Sequence, residues 1–294
     1  LVGICQLQWD QKKGMVLNRL IDLNEIRGQL GLIAIIGGGR MGEAIVSGLV
    51  QGAFFADESI VVANPSQGRR DYLSERYGLR CYADGSEIKH PNTAILAVKP
   101  QKLREVAAGL AAAEDFDPQR VISIAAGVST ATVQGYFPGA AVVRVMPNVA
   151  LSVSAGMSVV AAAVGVSARE TELVRKLFFC MGDALVIEES QIDAATAVSG
   201  SGPAYFALLA EELTAAGVAA GLCPEVSERL ARQTIIGTGR YLDLMDVRPE
   251  ELRRSVTSPN GTTQAALEAF SAGGLGALVH EAFQACVRRA KELT

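Results

Sequence analysis

Short apolar runs bounded by turn residues recur over the first two thirds of the chain, and the stretches between them carry apolar residues at helical spacing. Leu32–Ile36 is the first such run, and it leads through Gly37–Gly42 into Ala44, Ile45 and Leu49, the order of a buried strand, a glycine turn and a helix. Ile60–Ala63, Thr93–Val98, Arg120–Ile124 and Ala141–Val145 read as further strands, with two more near Met157–Ala161 and Ala184–Ile187. Between them helices are expected over Ser66–Tyr77, closed by Gly78, from Pro100 to Ala113, after Ser129, and over Ala168–Cys180. Such alternation predicts a parallel sheet with crossover helices.

From Gln191 the pattern changes to helices alone. They are expected from Pro203 to Ala220, from Pro224 towards Leu244, from Pro249, over Thr262–Phe270 and over Gly276–Lys291. The fold class is therefore α/β, a Rossmann-type N-terminal domain over 32–189 followed by an all-α domain over 190–294. Alanines and glycines such as Ala215, Ala216, Gly217, Gly237 and Gly239 permit close helix approach, either between subunits or inside one. Residues 1–31 read as an N-terminal extension, non-native or poorly ordered, not a secretory signal; Val16, Leu20, Leu23 and Ile26 within it follow helical spacing.

At 294 residues and 49% hydrophobic content the chain can bury a core large enough for two domains. A net charge of −4 with no basic block argues against a nucleic-acid partner. Five scattered cysteines without a C-x-x-C fit a reducing, cytoplasmic setting, and His90 and His280 lack metal-ligand spacing, so no metal is expected. The uncharged stretch from Val145 to Ala168 is long enough for a membrane span, but its Pro147, Asn148, glycines and serines fit two buried strands and a loop.

The strand, glycine loop and helix at the front make the phosphate cradle of a dinucleotide-binding fold, since glycine backbone lets a pyrophosphate approach the helix N-terminus. An NAD site commonly keeps an acid about 20 residues beyond the glycines. Here Asn64, Ser66, Arg69 and Arg70 follow the second strand instead, which favours NADPH, with NADH still usable, through an arginine grip on the 2′-phosphate. The alternative is a solvated helix start. Ligands bind outside the carboxyl ends of the strands in such sheets, so the candidate cofactor residues are Gly37, Gly38, Gly39, Arg40 and Met41, then Asn64, Ser66 and Arg69. Ala97, Val98, Lys99 and Pro100, Ser123 and Ala125, and Asn148 complete the set. Lys99 either faces the cofactor or simply ends its strand.

A second constellation, Val256–Thr263, is rich in hydroxyls and precedes a helix, which suits a carboxylate receptor; plain capping by Ser258 or Thr262 is the alternative. Ser199–Tyr205 is either a turn near the nicotinamide or the start of a long helix. The candidate loops hold no histidine, no serine elbow and no carboxylate pair, so the chemistry must need no strong general base. Hydride transfer to a protonated imine meets that restriction.

Taken together, Gly37–Gly39 with Met41–Gly42, Ala97–Pro100, Arg144–Asn148, Ser199–Tyr205, Gln233–Thr234 and Val256–Thr263 resemble the pyrroline-5-carboxylate reductase family in the same order, over about residues 32–292. The resemblance implies NAD(P)H-dependent reduction of 1-pyrroline-5-carboxylate to L-proline by a dimer or higher oligomer, with the active site at the dimer interface. It implies that Ser258, Gly261, Thr262 and Thr263 receive the substrate carboxylate, that Thr263 also acts on the ring nitrogen, and that Ala97, Lys99, Pro100 and the Ser123–Gly127 turn line the nicotinamide. One departure is Arg40, where the family usually has asparagine. Two other readings stay open, a two-domain NADP-dependent hydroxyacid dehydrogenase and a non-catalytic NADP-binding redox sensor. The helix after Pro203 carries Glu211 and Glu212 but no lysine, which counts against the dehydrogenase. A buried Thr262–Thr263 turn or a distorted glycine loop would favour the sensor.

Overall fold

A computed structural model describes residues 6–10, 14–18, 23–51, 54–55 and 59–292. The described residues divide into two compact units. One runs through Ser201 and takes in the chain again from Cys286; the other joins Gly202–Ala285 to the two strands nearest the N-terminus.

The first unit is built on an eight-stranded sheet. Its strands are β3 (Ile33–Ile36), β4 (Ile60–Ala63), β5 (Arg80–Tyr82), β6 (Thr93–Leu96), β7 (Arg120–Ser123), β8 (Ala141–Pro147), β9 (Gly156–Ala162) and β10 (Gly182–Val186). They lie in the order β10-β9-β8-β7-β6-β3-β4-β5. The helices are α1 (Leu23–Leu30), α2 (Arg40–Gln51), α3 (Gln67–Tyr77), α4 (Pro100–Ala111), α5 (Thr130–Tyr136), α6 (Ala168–Phe179) and the short α7 (Ile192–Ala195). Successive strand residues point to opposite faces, and both faces are covered. Ile33, Ile35, Ile60, Val62, Ile95 and Ile122 pack with α1, α2, α3 and α6, whereas Ala34, Ile36, Val61, Leu96 and Val121 pack with α4 and α5. This double burial explains why the strands read as continuous apolar runs.

The alternation of elements predicts a parallel sheet, but the sheet is not wholly parallel. β8 and β9 pair antiparallel, with Val145 opposite Val160, and β10 then runs parallel to β9. Only residues 148–155 separate β8 from β9, too few for the crossover that a parallel pair needs. The three-residue edge strand β5 has no counterpart in the sequence reading, because Arg80–Tyr82 carries neither an apolar run nor an alternating one.

Residues 1–31 also differ from expectation. Val16 lies in β2 (Gly14–Asn18), paired antiparallel with β1 (Gln6–Asp10), so the helical spacing that began there is coincidental. Leu20 lies outside the described residues. The helix begins at Leu23, and its Ile26 and Leu30 enter the main core. Its end is received by a built polar site: Arg120 donates through Nη1 to Gln29 O at 2.9 Å and through Nε to Glu170 at 2.9 Å, while Thr93 Oγ1 donates to Leu30 O at 2.8 Å. Gly31, at φ +55°, turns the chain into β3 beside Asn92, whose Oδ1 accepts from Leu32 N at 2.9 Å. Arg120→Met should lower stability by about 2–4 kcal/mol, read as a lower urea midpoint with an unchanged slope. The loss stays below that of a fully stranded charge, because the Glu170 side chain keeps 30% exposure and can turn to water.

The second unit holds α8 (Gly202–Ala219), α9 (Pro224–Met245), α10 (Pro249–Ser255), α11 (Thr262–Ala272) and most of α12 (Leu275–Glu292). α8 is apolar nearly all round, a pattern that belongs to buried helices, yet Phe206, Leu208, Leu209 and Leu213 are exposed on the single chain. Leu230 and Ile236 of α9 and Leu278 and Val279 of α12 are exposed as well. No helix among the described residues is long and apolar enough to cross a membrane.

Candidate active site

The chain leaves β3 towards β4 on one side and returns through β6 on the other, so β3 and β6 flank the crevice where open α/β sheets bind ligands. The loops after β4, β3, β6 and β7 are laced edge to edge: Gly37 N donates to Ala63 O at 2.8 Å, Ala97 N to Ile36 O at 2.8 Å and Ile124 N to Leu96 O at 3.2 Å.

The glycines do different jobs. Gly37 sits at φ +110°, and a Cβ there would stand 2.6 Å from Ala97 O. A Cβ on Gly42 would stand 2.0 Å from Gly37 O, so this glycine seats α2 against the end of β3. Gly38 is buried; its N–H donates to Asn64 Oδ1 at 3.1 Å, and a Cβ would meet Leu73 Cδ1 at 2.7 Å. Only Gly39 faces open space, at the N-terminus of α2, with nothing within 4 Å of its added Cβ. This is a cradle that an L side chain would fill, and the donor set around it, free helix-start amides, suits a pyrophosphate. Arg40 is exposed in the first turn and does not distort the loop, since Glu43 N still donates to Gly39 O at 2.8 Å. Met41 is half-buried against the core.

At the end of β4, Ser66 precedes α3 with its side chain making no capping bond. Arg69 reaches back over the glycine loop, donating from Nε to Gly38 O at 2.5 Å and from Nη2 to Glu43. Arg70 is committed to the loop itself through Asn64 O and Pro65 O, both at 2.8 Å. Glu43 also accepts from Tyr72 at 2.9 Å and Tyr77 at 3.2 Å. Burial alone would raise the Glu43 carboxyl, but these bonds and the Arg69 charge hold it below the usual carboxylate range. An acid in the first turn of a helix reads in sequence as an ordinary partner of the helix dipole, so nothing there marked Glu43 as the meeting point of α2 and α3.

After β6, Ala97 and Val98 are half-buried against the two faces of the core, Lys99 is exposed, and Pro100 opens α4. After β7, Ser123 and Ala125 are buried, with Ala125 N donating to Ser123 Oγ at 3.4 Å. Asn148 has a structural occupation: its Oδ1 accepts from Ala150 N and Met157 N, and its Nδ2 donates to Ser199 O at 3.1 Å. It therefore ties the end of β8 to the π-helical segment Thr196–Gly200. Beside it the buried Arg144 lies 3.6 Å from Glu189 and 3.8 Å from Asp193, and Glu189 in turn accepts from Thr130 N and Oγ1 at 2.7 Å each. Arg144 belongs to one of the sequence motifs, but its acidic partners are 45 or more residues away along the chain and leave no local signal.

In the second unit the Val256–Thr263 turn joins α10 to α11. Asn260 adopts φ +58°, and its N–H donates to Gln264 Oε1 at 2.8 Å. Gly261 stands at the helix cap, where a Cβ would lie 2.4 Å from Ser258 Oγ. Because the cap is a glycine, no side chain satisfies the amides that open α11. Ser258 and Thr262 are exposed and Thr263 is half-buried. Neither feature that would favour a non-catalytic sensor is present in the chain, since the turn is open and the glycine loop is regular.

A family model described as pyrroline-5-carboxylate reductase dimerisation matches residues 189–293, and one described as NADP oxidoreductase, coenzyme F420-dependent, matches residues 32–127. A Synechocystis pyrroline-5-carboxylate reductase is 40% identical over 89% of this chain and 97% of its own length. A solved Coxiella burnetii pyrroline-5-carboxylate reductase aligns with a TM-score of 0.81 at 33% identity, covering 90% of this chain and 99% of that one. A Plasmodium falciparum pyrroline carboxylate reductase solved with NADP bound aligns at 0.78 and 26% identity, over 90% of this chain and 98% of that one.

Proposed function

Since the chain belongs to the pyrroline-5-carboxylate reductase family, we propose that it reduces the C=N bond of 1-pyrroline-5-carboxylate to L-proline with NADPH as its preferred reductant. Its membership makes it an NAD(P)-dependent oxidoreductase that carries the family's dimerisation region. The observation that supports the cofactor reading best is the glycine loop: of Gly37, Gly38, Gly39 and Gly42, only Gly39 opens onto free space, at a helix N-terminus.

When bound, the nicotinamide supplies the hydride. The chain's residues bind and orient. The loop amides and the α2 N-terminus hold the pyrophosphate, Ser66 and Arg69 take the 2′-phosphate, and Ala97–Pro100 with Ser123–Gly127 form the wall of the nicotinamide site. Ser258, Gly261, Thr262 and Thr263 clamp the substrate carboxylate at the start of α11, and the Thr263 hydroxyl bonds the ring nitrogen. Holding two reactants in line contributes roughly 7–11 kcal/mol where orientation is good, which suits a site without a strong base.

The substrate turn lies inside the stretch matched by the dimerisation model, and α8 leaves its apolar side chains exposed on the single chain; both support an active site completed at the interface of two copies. A cytoplasmic location belongs to the same proposal, supported by the unpaired Cys81, Cys180, Cys223 and Cys286. The test is initial-rate NADPH oxidation with pyrroline-5-carboxylate, with NADH in its place, and with 2-oxoacids as substrates. Proline formation with a higher kcat/KM for NADPH is expected. Equal kcat/KM for both nucleotides would remove the NADPH preference, and turnover of an oxoacid without the imine would overturn the substrate.

A further inference from the structure

We propose that Glu43 sets the strength of the NADPH preference, acting as a built-in competitor that offsets the charge of Arg69 where the 2′-phosphate binds. The proposal rests on the reading above in which Arg69 receives that phosphate.

Three groups converge on this carboxylate. Arg69 Nη2 donates to Oε2, and the hydroxyls of Tyr72 and Tyr77 donate to Oε1. Arg76 completes the cluster by donating from Nε to the Tyr77 hydroxyl at 3.1 Å. The Arg69 guanidinium also lies over the Tyr72 ring, 4.9 Å from its centroid, and its Nε is held by Gly38 O. The arginine is thus fixed in place before any ligand arrives, with one edge of its fork turned to protein acceptors.

That arrangement has two consequences of opposite sign. Contacts to Gly38 O and the Tyr72 ring keep Arg69 over the glycine loop, which lowers the entropy lost on binding. The carboxylate, in contrast, cancels much of the unit charge that a phosphate would meet, and it repels the incoming dianion. Orientation does not depend on the charge of Glu43 alone, because Gly38 O and Tyr72 share it. The electrostatic cost does depend on it. The pyrophosphate is common to both nucleotides and NADH has no 2′-phosphate, so Glu43 acts on the ratio of the two affinities. Its two tyrosine bonds keep the carboxylate from swinging away, so the competition persists when the cofactor binds.

The experiment measures the dissociation constants of NADPH and NADH, by nucleotide fluorescence, for the full chain, Glu43→Gln, Glu43→Met and Arg69→Ala. Glu43→Gln retains the length and an acceptor while removing the charge, and Glu43→Met removes the charge without an amide. Both should raise the NADPH preference about three- to tenfold, and the gain should shrink at high ionic strength, as it would not for a purely structural change. Arg69→Ala should collapse the preference. If it does so while both Glu43 variants leave the ratio unchanged or lower it, Glu43 is not the competitor and the Arg69 reading stands. If Arg69→Ala leaves the ratio where it was, the phosphate reading fails and this inference fails with it.

Discussion

Gly39→Ala is expected to leave the fold intact and to weaken NADPH binding by about tenfold or more, whereas Gly42→Ala, three residues away, should lower stability by more than about 3 kcal/mol. The contrast follows from what each added methyl would meet. At Gly42 it would overlap the Gly37 carbonyl at 2.0 Å, backbone against backbone, and only a shift of α2 away from β3 could relieve it. At Gly39 it would meet no protein atom within 4 Å, and the position is a cap whose backbone conformation other residues adopt. The methyl instead occupies the space through which the pyrophosphate reaches the first amides of α2. Thermal melting and nucleotide fluorescence titration of both variants separate the two effects. A Gly39→Ala protein that binds NADPH normally would show that the phosphates do not cross that glycine.

Thr263→Val should reduce kcat/KM about 10- to 100-fold, with kcat falling at least as much as substrate affinity, and leave the melting temperature nearly unchanged. The hydroxyl stands in the first turn of α11, beside amides that no side chain caps, so its loss removes a bond to substrate and leaves the helix start as it was. Valine keeps the branched shape. A hydrogen bond to a group that carries charge in the transition state is worth more than one to the free imine, so the effect should appear in kcat. A variant that unfolds, or one with full kcat/KM, would assign Thr263 to the architecture of the helix start alone.

Much of this protein was legible in its order of residues. The apolar runs Leu32–Ile36 and Thr93–Val98 announced strands buried on both faces, since no polar position alternates with the apolar ones. Gly78 at φ +70° and Pro100 in the first turn of α4 ended and opened helices where such residues do by local sterics. The six ordered motifs were enough to identify the family, because each is a local string whose chemistry is carried by neighbours in the chain.

What the tertiary structure alone decided involves partners far apart in sequence. The direction of β9 depends on the length of one connection, and a string of apolar residues reads the same in either direction. The docking of α1 depends on Arg120, 91 residues from the carbonyl it holds. Arg69 read as a cation free to meet a phosphate, and only the packing of α3 against α2 shows it already bound to Glu43 and Gly38, 26 and 31 residues away. Asn148 read as a cofactor ligand, yet its amide is occupied by Ala150, Met157 and Ser199. Periodicity and local motifs report the nearest neighbours of a residue along the chain, whereas a polar side chain's role is set by the groups that close around it once its element is packed.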